Sequence, residues 1–418
     1  MLLPGPPEVL RFADRLAARS HLFEARLDAD QLIERACGDG DWSPHADQRA
    51  ALRMLVGAVE AEASLSLFGR AALRWDIARF LANTRRLDEE EAACPTIGQT
   101  AVERPVFILG LPRSGTSFLH ALMAQDPDTM APRCWQTVYP YKPAARRRDR
   151  RIAQVGRQIA LFTRIAPDLP SVHPITAETP QECSEITAHT FRSLRFDTTF
   201  RVPSYLAWLD AEGHDAAYAF HARFLRHLQR QTEPEPDARW VLKCPDHVFA
   251  FEAIRRTYPD ARFVFVHRDP WHVLASVARL TEILRAPFTR RIDRLEIGRQ
   301  VADRWVLGAQ RIVAATESAG RDDLPVVHVT HGALVADPWA TVCRVYEALG
   351  LTMRAPAAAR IGAMIQARPD GGYGRNSYHP STFGLVADRE RERFAAYIER
   401  FLPGDETMGP PESRIRAA

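Results

Sequence analysis

Gly110-Leu111-Pro112-Arg113-Ser114-Gly115-Thr116-Ser117 collects anion donors at a spacing that suits phosphate. The apolar run Pro105 to Leu109 precedes it. Phe118-Leu119-His120-Ala121-Leu122-Met123, with apolar residues at helical spacing, follows. Strand, glycine-bounded loop and helix in that order aim backbone N–H groups and a helix N-terminus at one anion. The spacing is that of a Walker A loop, G-x-x-x-x-G-K-[ST], but Thr116 stands where that loop has its lysine, and Arg113 supplies a cation inside the loop instead. Glycines also occur in strand-to-helix turns for backbone reasons alone. Arg113, Ser114, Thr116 and Ser117 around two glycines point to phosphate, without the lysine that an ATP or GTP enzyme uses on its β- and γ-phosphates.

A second stretch offers donors for one more phosphate. Ala261 to His267 reads as a buried strand, and Arg268-Asp269-Pro270 follows it. Asp then Pro is a good N-cap and N1 pair, so a helix starts here and runs through Ser276. The guanidinium of Arg268 at the strand end and the hydroxyl of Ser276, about two turns into the helix, could grip that phosphate together. A third candidate is Lys243, at the end of the apolar strand in Trp240-Val241-Leu242-Lys243-Cys244-Pro245-Asp246-His247. The chain has two lysines, Lys142 and Lys243, against 53 arginines. A lysine retained under that bias reads either as an edge residue reaching solvent or as a compact donor that a guanidinium cannot replace in a tight site.

These residues need a sheet edge to converge. Strands are expected at Val106–Leu109, Trp240–Lys243, Phe263–His267 and Val326–Thr330, with helices between them and a long helix near Asp293–Glu317. That alternation predicts an α/β fold, a P-loop-like parallel β-sheet flanked by helices. Residues 142–235 read as mainly helical and lie over the C-terminal edge of the sheet, where ligands bind in such folds. Residues 1–98 show no strand pattern. Asp47 to Leu67 and Ala71 to Leu87 carry apolar residues at i, i+3 and i+4, so this part reads as a helical N-terminal segment, with a linker at Cys94-Pro95-Thr96-Ile97-Gly98. Residues 99–418 form the α/β domain. Gln366 to Ser381 reads as a loop and Val386 to Phe401 as a final helix.

Composition narrows the class. The chain has 418 residues, 46% of them hydrophobic, enough for a substantial core. A net charge of +3 is too small to argue for nucleic acid, and a local basic site for an anionic cofactor suffices. No apolar run approaches the roughly 20 residues that span a bilayer, and no signal peptide is evident at the N-terminus. The six cysteines are scattered without metal-ligand spacing. They read as reduced thiols, so a cytoplasmic location and no metal are expected.

The two motifs Pro112-Arg113-Ser114-Gly115-Thr116-Ser117 and Arg268-Asp269-Pro270-Trp271-His272-Val273-Leu274-Ala275-Ser276 together resemble the PAPS-dependent sulfotransferases, over roughly residues 100–400. PAPS is 3′-phosphoadenosine 5′-phosphosulfate. The bacterial branch with an added helical N-terminal segment is the most similar. The resemblance implies that the first loop, Arg113, Ser114, Gly115, Thr116 and Ser117, cradles the 5′-phosphosulfate, and that Arg268 and Ser276 bind the 3′-phosphate. Gly374-Arg375-Asn376-Ser377-Tyr378 resembles the basic loop that closes over the cofactor, with Arg375 toward the 3′-phosphate and Ser377 toward the phosphosulfate. Lys243 resembles the lysine that stabilises the transferring sulfuryl group in tyrosylprotein sulfotransferases, and Arg113 would share that work. PAP is then the product and a hydroxylated acceptor the partner. The aromatic and apolar residues of the 160–230 region favour a hydrophobic small molecule or lipid.

The acceptor hydroxyl needs a general base. Tyrosylprotein-type enzymes carry a glutamate after the phosphate-loop helix, but the corresponding stretch here holds Gln136, which cannot take a proton. The next cluster is His173 to Glu182, followed by His189. Glu182 is the first candidate and His173 the second. Acids are common at helix starts for the dipole alone, so a purely structural role for each remains open. Two other functions compete. A P-loop kinase or NTPase would need the missing loop lysine and a Walker B acid. A non-catalytic nucleotide-binding protein would bind PAP and transfer nothing.

Overall fold

The computed structural model describes residues 26–38, 40–141, 149–172, 174–232, 238–322, 324–367 and 379–403. Five parallel strands, β1 (Val106–Gly110), β2 (Thr129–Met130), β3 (Arg239–Lys243), β4 (Arg262–His267) and β5 (Val326–Thr330), form one sheet in the order β2-β3-β1-β4-β5. The sheet of the sequence reading is thus present, with β2 added at one edge. That strand has only two residues, too few for any periodicity to announce it.

Strand β1 is buried along its whole length, as a central parallel strand covered on both faces must be. Alternate residues feed two cores. Phe107, Leu109, Leu242, Phe263 and Phe265 pack with the helices Asp215–Thr232, Pro270–Arg285 and Arg294–Arg321. Val106, Ile108, Val241, Val264, Val266 and Val329 pack on the opposite face with Thr116–Met123, Pro338–Ala348 and Ala355–Gln366. Each fully buried side chain of this size contributes about 1.5–3 kcal/mol. Register brings Ile108 beside Lys243 and Gly110 beside Val266, so β1, β3 and β4 all end at one edge.

The N-terminal helices Ala29–Cys37, Ala46–Glu62 and Leu67–Ala93 do not close a core among themselves. Leu52, Leu55, Leu73, Ile77 and Phe80 share one with Phe191, Phe196, Tyr205 and Phe288. The first long helix stops at Glu62 rather than running to Leu67. Ser64 takes a positive φ of 48°, and Ser66 then caps the next helix by accepting from the N–H of Gly69. The final helix breaks at Phe394, which turns into the core, giving Ala387–Arg393 and Ala395–Phe401. Among the described residues no helix is long and apolar enough to cross a membrane.

Candidate active site

The loop between β1 and the Thr116–Met123 helix is tight because three of its residues have positive φ. Gly110 has φ 152°, Arg113 64° and Gly115 96°. A Cβ on Gly110 would lie 2.3 Å from the carbonyl oxygen of Val266, so only glycine lets the loop leave β1 against β4. Arg113 pays for its left-handed backbone with about 1–2 kcal/mol, and two contacts tie it down. Its carbonyl accepts from Arg268 Nη1 at 2.6 Å, and its own Nε donates to Ser276 Oγ at 3.1 Å. The hydroxyl of Ser114, fully buried, donates to the carbonyl of Leu111 at 2.6 Å and closes the loop on itself. Thr116 and Ser117 open the helix, whose first amides have no partner within it.

Arg113, Arg268 and Ser276 therefore meet at one end of the site. Asp269 caps the Pro270–Arg285 helix by accepting from the N–H of Trp271 at 2.8 Å, and Pro270 takes its first turn. Behind Arg268, His267 shares a hydrogen bond of 3.0 Å with Tyr397 Oη and one of 2.8 Å with His328. Its ring stacks on Phe401. Burial, and then the neighbouring His328, push the imidazole of His267 down to about 3, so it stays neutral behind the cationic pair.

The other end gathers around Lys243. Its ammonium, almost wholly buried at the tip of β3, donates to Ser117 Oγ at 2.9 Å and to Glu182 Oε1 at 2.5 Å. The amide of Cys183 donates to the Lys243 carbonyl at 3.2 Å and docks the Glu182 segment on the strand end. The Glu182 side chain is 27% exposed, against 4% for Lys243, so the carboxylate is the half of this pair that an incoming molecule can reach. Below it, His120 shares a hydrogen bond of 3.0 Å with the carbonyl of Val241. Burial first, and the charge of Lys243 second, push this imidazole down to about 3. Asp246 is also buried, accepting from the amide of Leu194 at 3.1 Å and from Ser193 Oγ at 3.3 Å. Burial, and then the nearby Glu182, push its carboxyl up to about 6.

The structure thus brings Arg113, Ser114, Gly115, Thr116, Ser117, Lys243, Glu182, Arg268 and Ser276 to one edge of the sheet. His173, Arg375 and Ser377 lie outside the described residues. Glu182 precedes a helix of a single turn, Ser184–Thr187, rather than heading a longer one. Gln136 is buried and accepts from the N–H of Arg133 at 2.9 Å as part of a helix cap. His189 is buried between Phe80 and Phe224. Its Nδ1 faces the carbonyls of Glu185 and Ile186 at 3.0 and 3.2 Å, and its Nε2 faces the Asn83 amide at 3.0 Å. Burial pushes it down to about 3, and both ring nitrogens are engaged, so it is a core histidine and not a proton acceptor for an incoming hydroxyl. Sequence reasoning missed Asp246, although it stands three residues past Lys243 in a turn that opens with Pro245. Among the described residues no group of His, Cys, Asp and Glu is placed to hold a metal ion.

The chain matches the model of the sulfotransferase family over residues 105–355. No curated protein sequence matches it. Among solved structures, the sulfotransferase STF1 of Mycobacterium tuberculosis is 27% identical with a TM-score of 0.77, over 89% of this chain and 99% of that one. The sulfotransferase STF9 of Mycobacterium avium is 25% identical with a TM-score of 0.80, over 91% of this chain and 98% of that one.

Proposed function

Since this chain belongs to the sulfotransferase family and is an enzyme of that class, we propose that it moves a sulfuryl group from PAPS to the hydroxyl of a small-molecule or lipid acceptor by in-line displacement. When bound, PAPS supplies sulfur attached through oxygen to a phosphate that can leave. The acceptor oxygen bonds to sulfur as that S–O bond breaks, the acceptor proton passes to a base, and a sulfate ester and PAP remain. The fit to PAPS rests on the tight loop that opens a helix, and on two guanidiniums and a hydroxyl that meet at it.

Each residue then has a task. The amides of Gly115, Thr116 and Ser117, with the last two hydroxyls, hold the 5′-phosphosulfate. Ser114 contributes its amide, since its hydroxyl is committed to Leu111. Arg268 and Ser276 hold the 3′-phosphate, and Arg375 and Ser377 join the cofactor from their own segment. The contact between Arg113 and Ser276 favours a place for Arg113 at the 3′-phosphate, more than the sequence-based role beside the sulfuryl group. Lys243 neutralises charge growing on the leaving oxygen, which resembles the electrostatic work of phosphoryl-transfer sites. Glu182 takes the acceptor proton, with His173 as the second candidate. The six unpaired cysteines support a cytoplasmic location, and the N-terminal segment to residue 98, with its helices Ala29–Cys37, Ala46–Glu62 and Leu67–Ala93, is an extension of the catalytic domain.

The observation that carries this reading is the single ammonium of Lys243 bonded at once to the phosphate-loop hydroxyl of Ser117 and to Glu182. Leaving-group stabilisation and proton removal then sit on either side of one atom. Transfer of label from sulfur-labelled PAPS to a panel of phenols, long-chain alcohols and sterols tests it. PAP formation coupled to a labelled ester is expected. Tight PAP binding with no transfer to any acceptor would leave a nucleotide-binding protein.

A further inference from the structure

The Leu67–Ala93 helix carries Asp76, Arg79 and Asn83 on the face that also buries Leu73, Phe80 and Leu87. Polar residues at core positions of a helix need partners, and here the partners lie in the segment that holds Glu182. Arg79 Nη2 donates to Glu185 Oε1 at 2.6 Å and to Asp76 Oδ1 at 2.8 Å. Arg195 closes the square, to Asp76 Oδ2 at 2.7 Å and to Glu185 Oε2 at 2.9 Å. Arg79, Asp76 and Glu185 are 7, 9 and 8% exposed, so the network is well shielded from water. Burial alone would raise the carboxyl of Asp76, but Arg195 and Arg79 together lower it, and it stays charged.

Glu185 is one turn from Glu182, and its amide donates to the Glu182 carbonyl at 3.3 Å. The other end of the same turn is held as well. His189 Nδ1 meets the carbonyls of Glu185 and Ile186, Asn83 meets His189 Nε2, and Gln48 Nε2 donates to the His189 carbonyl at 2.6 Å. Asn83 also donates to the carbonyl of Val138 at 2.9 Å, the last residue of the Cys134–Val138 helix. The N-terminal helices thus grip the turn at Glu185 and at His189, while the amide of Cys183 fastens it to Lys243.

We infer that the N-terminal helical segment is a positioning device for the transfer site, and that Arg79 is its positioning residue: through Glu185 it sets where the Glu182 carboxylate stands on the Lys243 ammonium. This rests on the reading of Glu182 as the proton acceptor. Arg79 touches neither Glu182 nor Lys243 in any described contact, so its effect passes through the turn.

The test uses the full chain, labelled PAPS and the fastest acceptor of a panel of long-chain alcohols and sterols. Arg79→Met alone would leave two buried carboxylates facing one cation, a change that can itself unfold the chain. The charge-balanced pair Arg79→Met with Glu185→Gln keeps Asp76 on Arg195. It is expected to keep the PAP-induced melting shift and the KM for PAPS, while kcat falls at least about 10-fold, toward the 10²-fold that small remote displacements can cost. The same pair in a Glu182→Gln background is expected to add no further loss, because the group it positions is already gone. A parent-like kcat in the pair overturns the inference, and so does a loss of undiminished size in the Glu182→Gln background. Failure of the underlying reading is seen separately, as a parent-like rate in Glu182→Gln alone.

Discussion

Arg113, Arg268 and Ser276 reach one another across β1 and β4, which are hydrogen-bonded neighbours. Lys243, Ser117 and Glu182 are assembled from the end of β3, a helix N-terminus and a turn that the N-terminal helices hold down. The first group is backed by the sheet and by the hydrogen-bonded pair His267 and His328. The second is backed by a buried ion network whose members come from three parts of the chain. In the proposed assignment the first group grips a phosphate, which needs only fixed cations and hydroxyls, and two strand-to-helix connections carry them. A transfer site needs a base and a cation at one reacting atom, and small displacements there are costly. The longer scaffold stands behind the group with the stricter geometry.

Breaking the transfer end should cost the most. Lys243→Arg is expected to lower kcat by about 10²- to 10³-fold, the usual cost of one donor aimed at developing charge, with PAP affinity little changed. Steady-state rates beside a PAP thermal shift measure both, and a near parent rate would make Lys243 an edge lysine. Glu182→Gln is expected to lower kcat by at least about 10²-fold, the lower end for loss of a general base. His173→Ala should do less. If Glu182→Gln keeps its rate and His173→Ala abolishes it, the base is the histidine.

The end proposed for the 3′-phosphate should break in affinity rather than in rate. PAP is expected to raise the melting temperature far more than 5′-AMP does, since ligand at 100 times its Kd adds about 2.7 kcal/mol. Arg268→Ala should abolish the difference between the two nucleotides. Equal shifts in the parent protein would remove the 3′-phosphate assignment. Two smaller effects sharpen the contrast. Asp246 has a folded pKa raised from 3.8 to about 6, so the stability linked to its protonation is present below about pH 4 and is lost as pH rises through about 6. Asp246→Asn keeps an acceptor for Leu194 and Ser193 and should flatten the loss of stability between these pH values in urea melts. An unchanged slope would show that the carboxyl is not held protonated. Finally, EDTA is expected to leave turnover unchanged, because in the proposed mechanism the Lys243 ammonium neutralises the leaving oxygen. Loss of all activity with rescue by Mg²⁺ would point to a kinase-like enzyme.

The strands β1, β3, β4 and β5, the tight loop from Gly110 to Gly115, and the start of the helix after Asp269 were legible in the sequence because each is written in contiguous residues: apolar runs, glycines at loop spacing, and an Asp-Pro cap. Arg268 and Ser276 were legible for the same reason, since one helix carries the second a fixed distance past the first. Lys243 stood out through the near absence of other lysines. What only the tertiary structure decided is which of these side chains meet. Glu182 and Lys243 are 61 positions apart, and no local pattern states that the amide of Cys183 docks on the end of β3. His189 stood in the chain as a further histidine after Glu182 and His173, and burial among aromatic rings sets it apart as a core residue. Arg79 and Glu185 are further apart still, 106 positions, and each alone reads as an ordinary charge on a helix. Local conformational preference is carried by neighbours in sequence, whereas the partner of a buried charge is chosen by packing, and packing is a property of the folded chain.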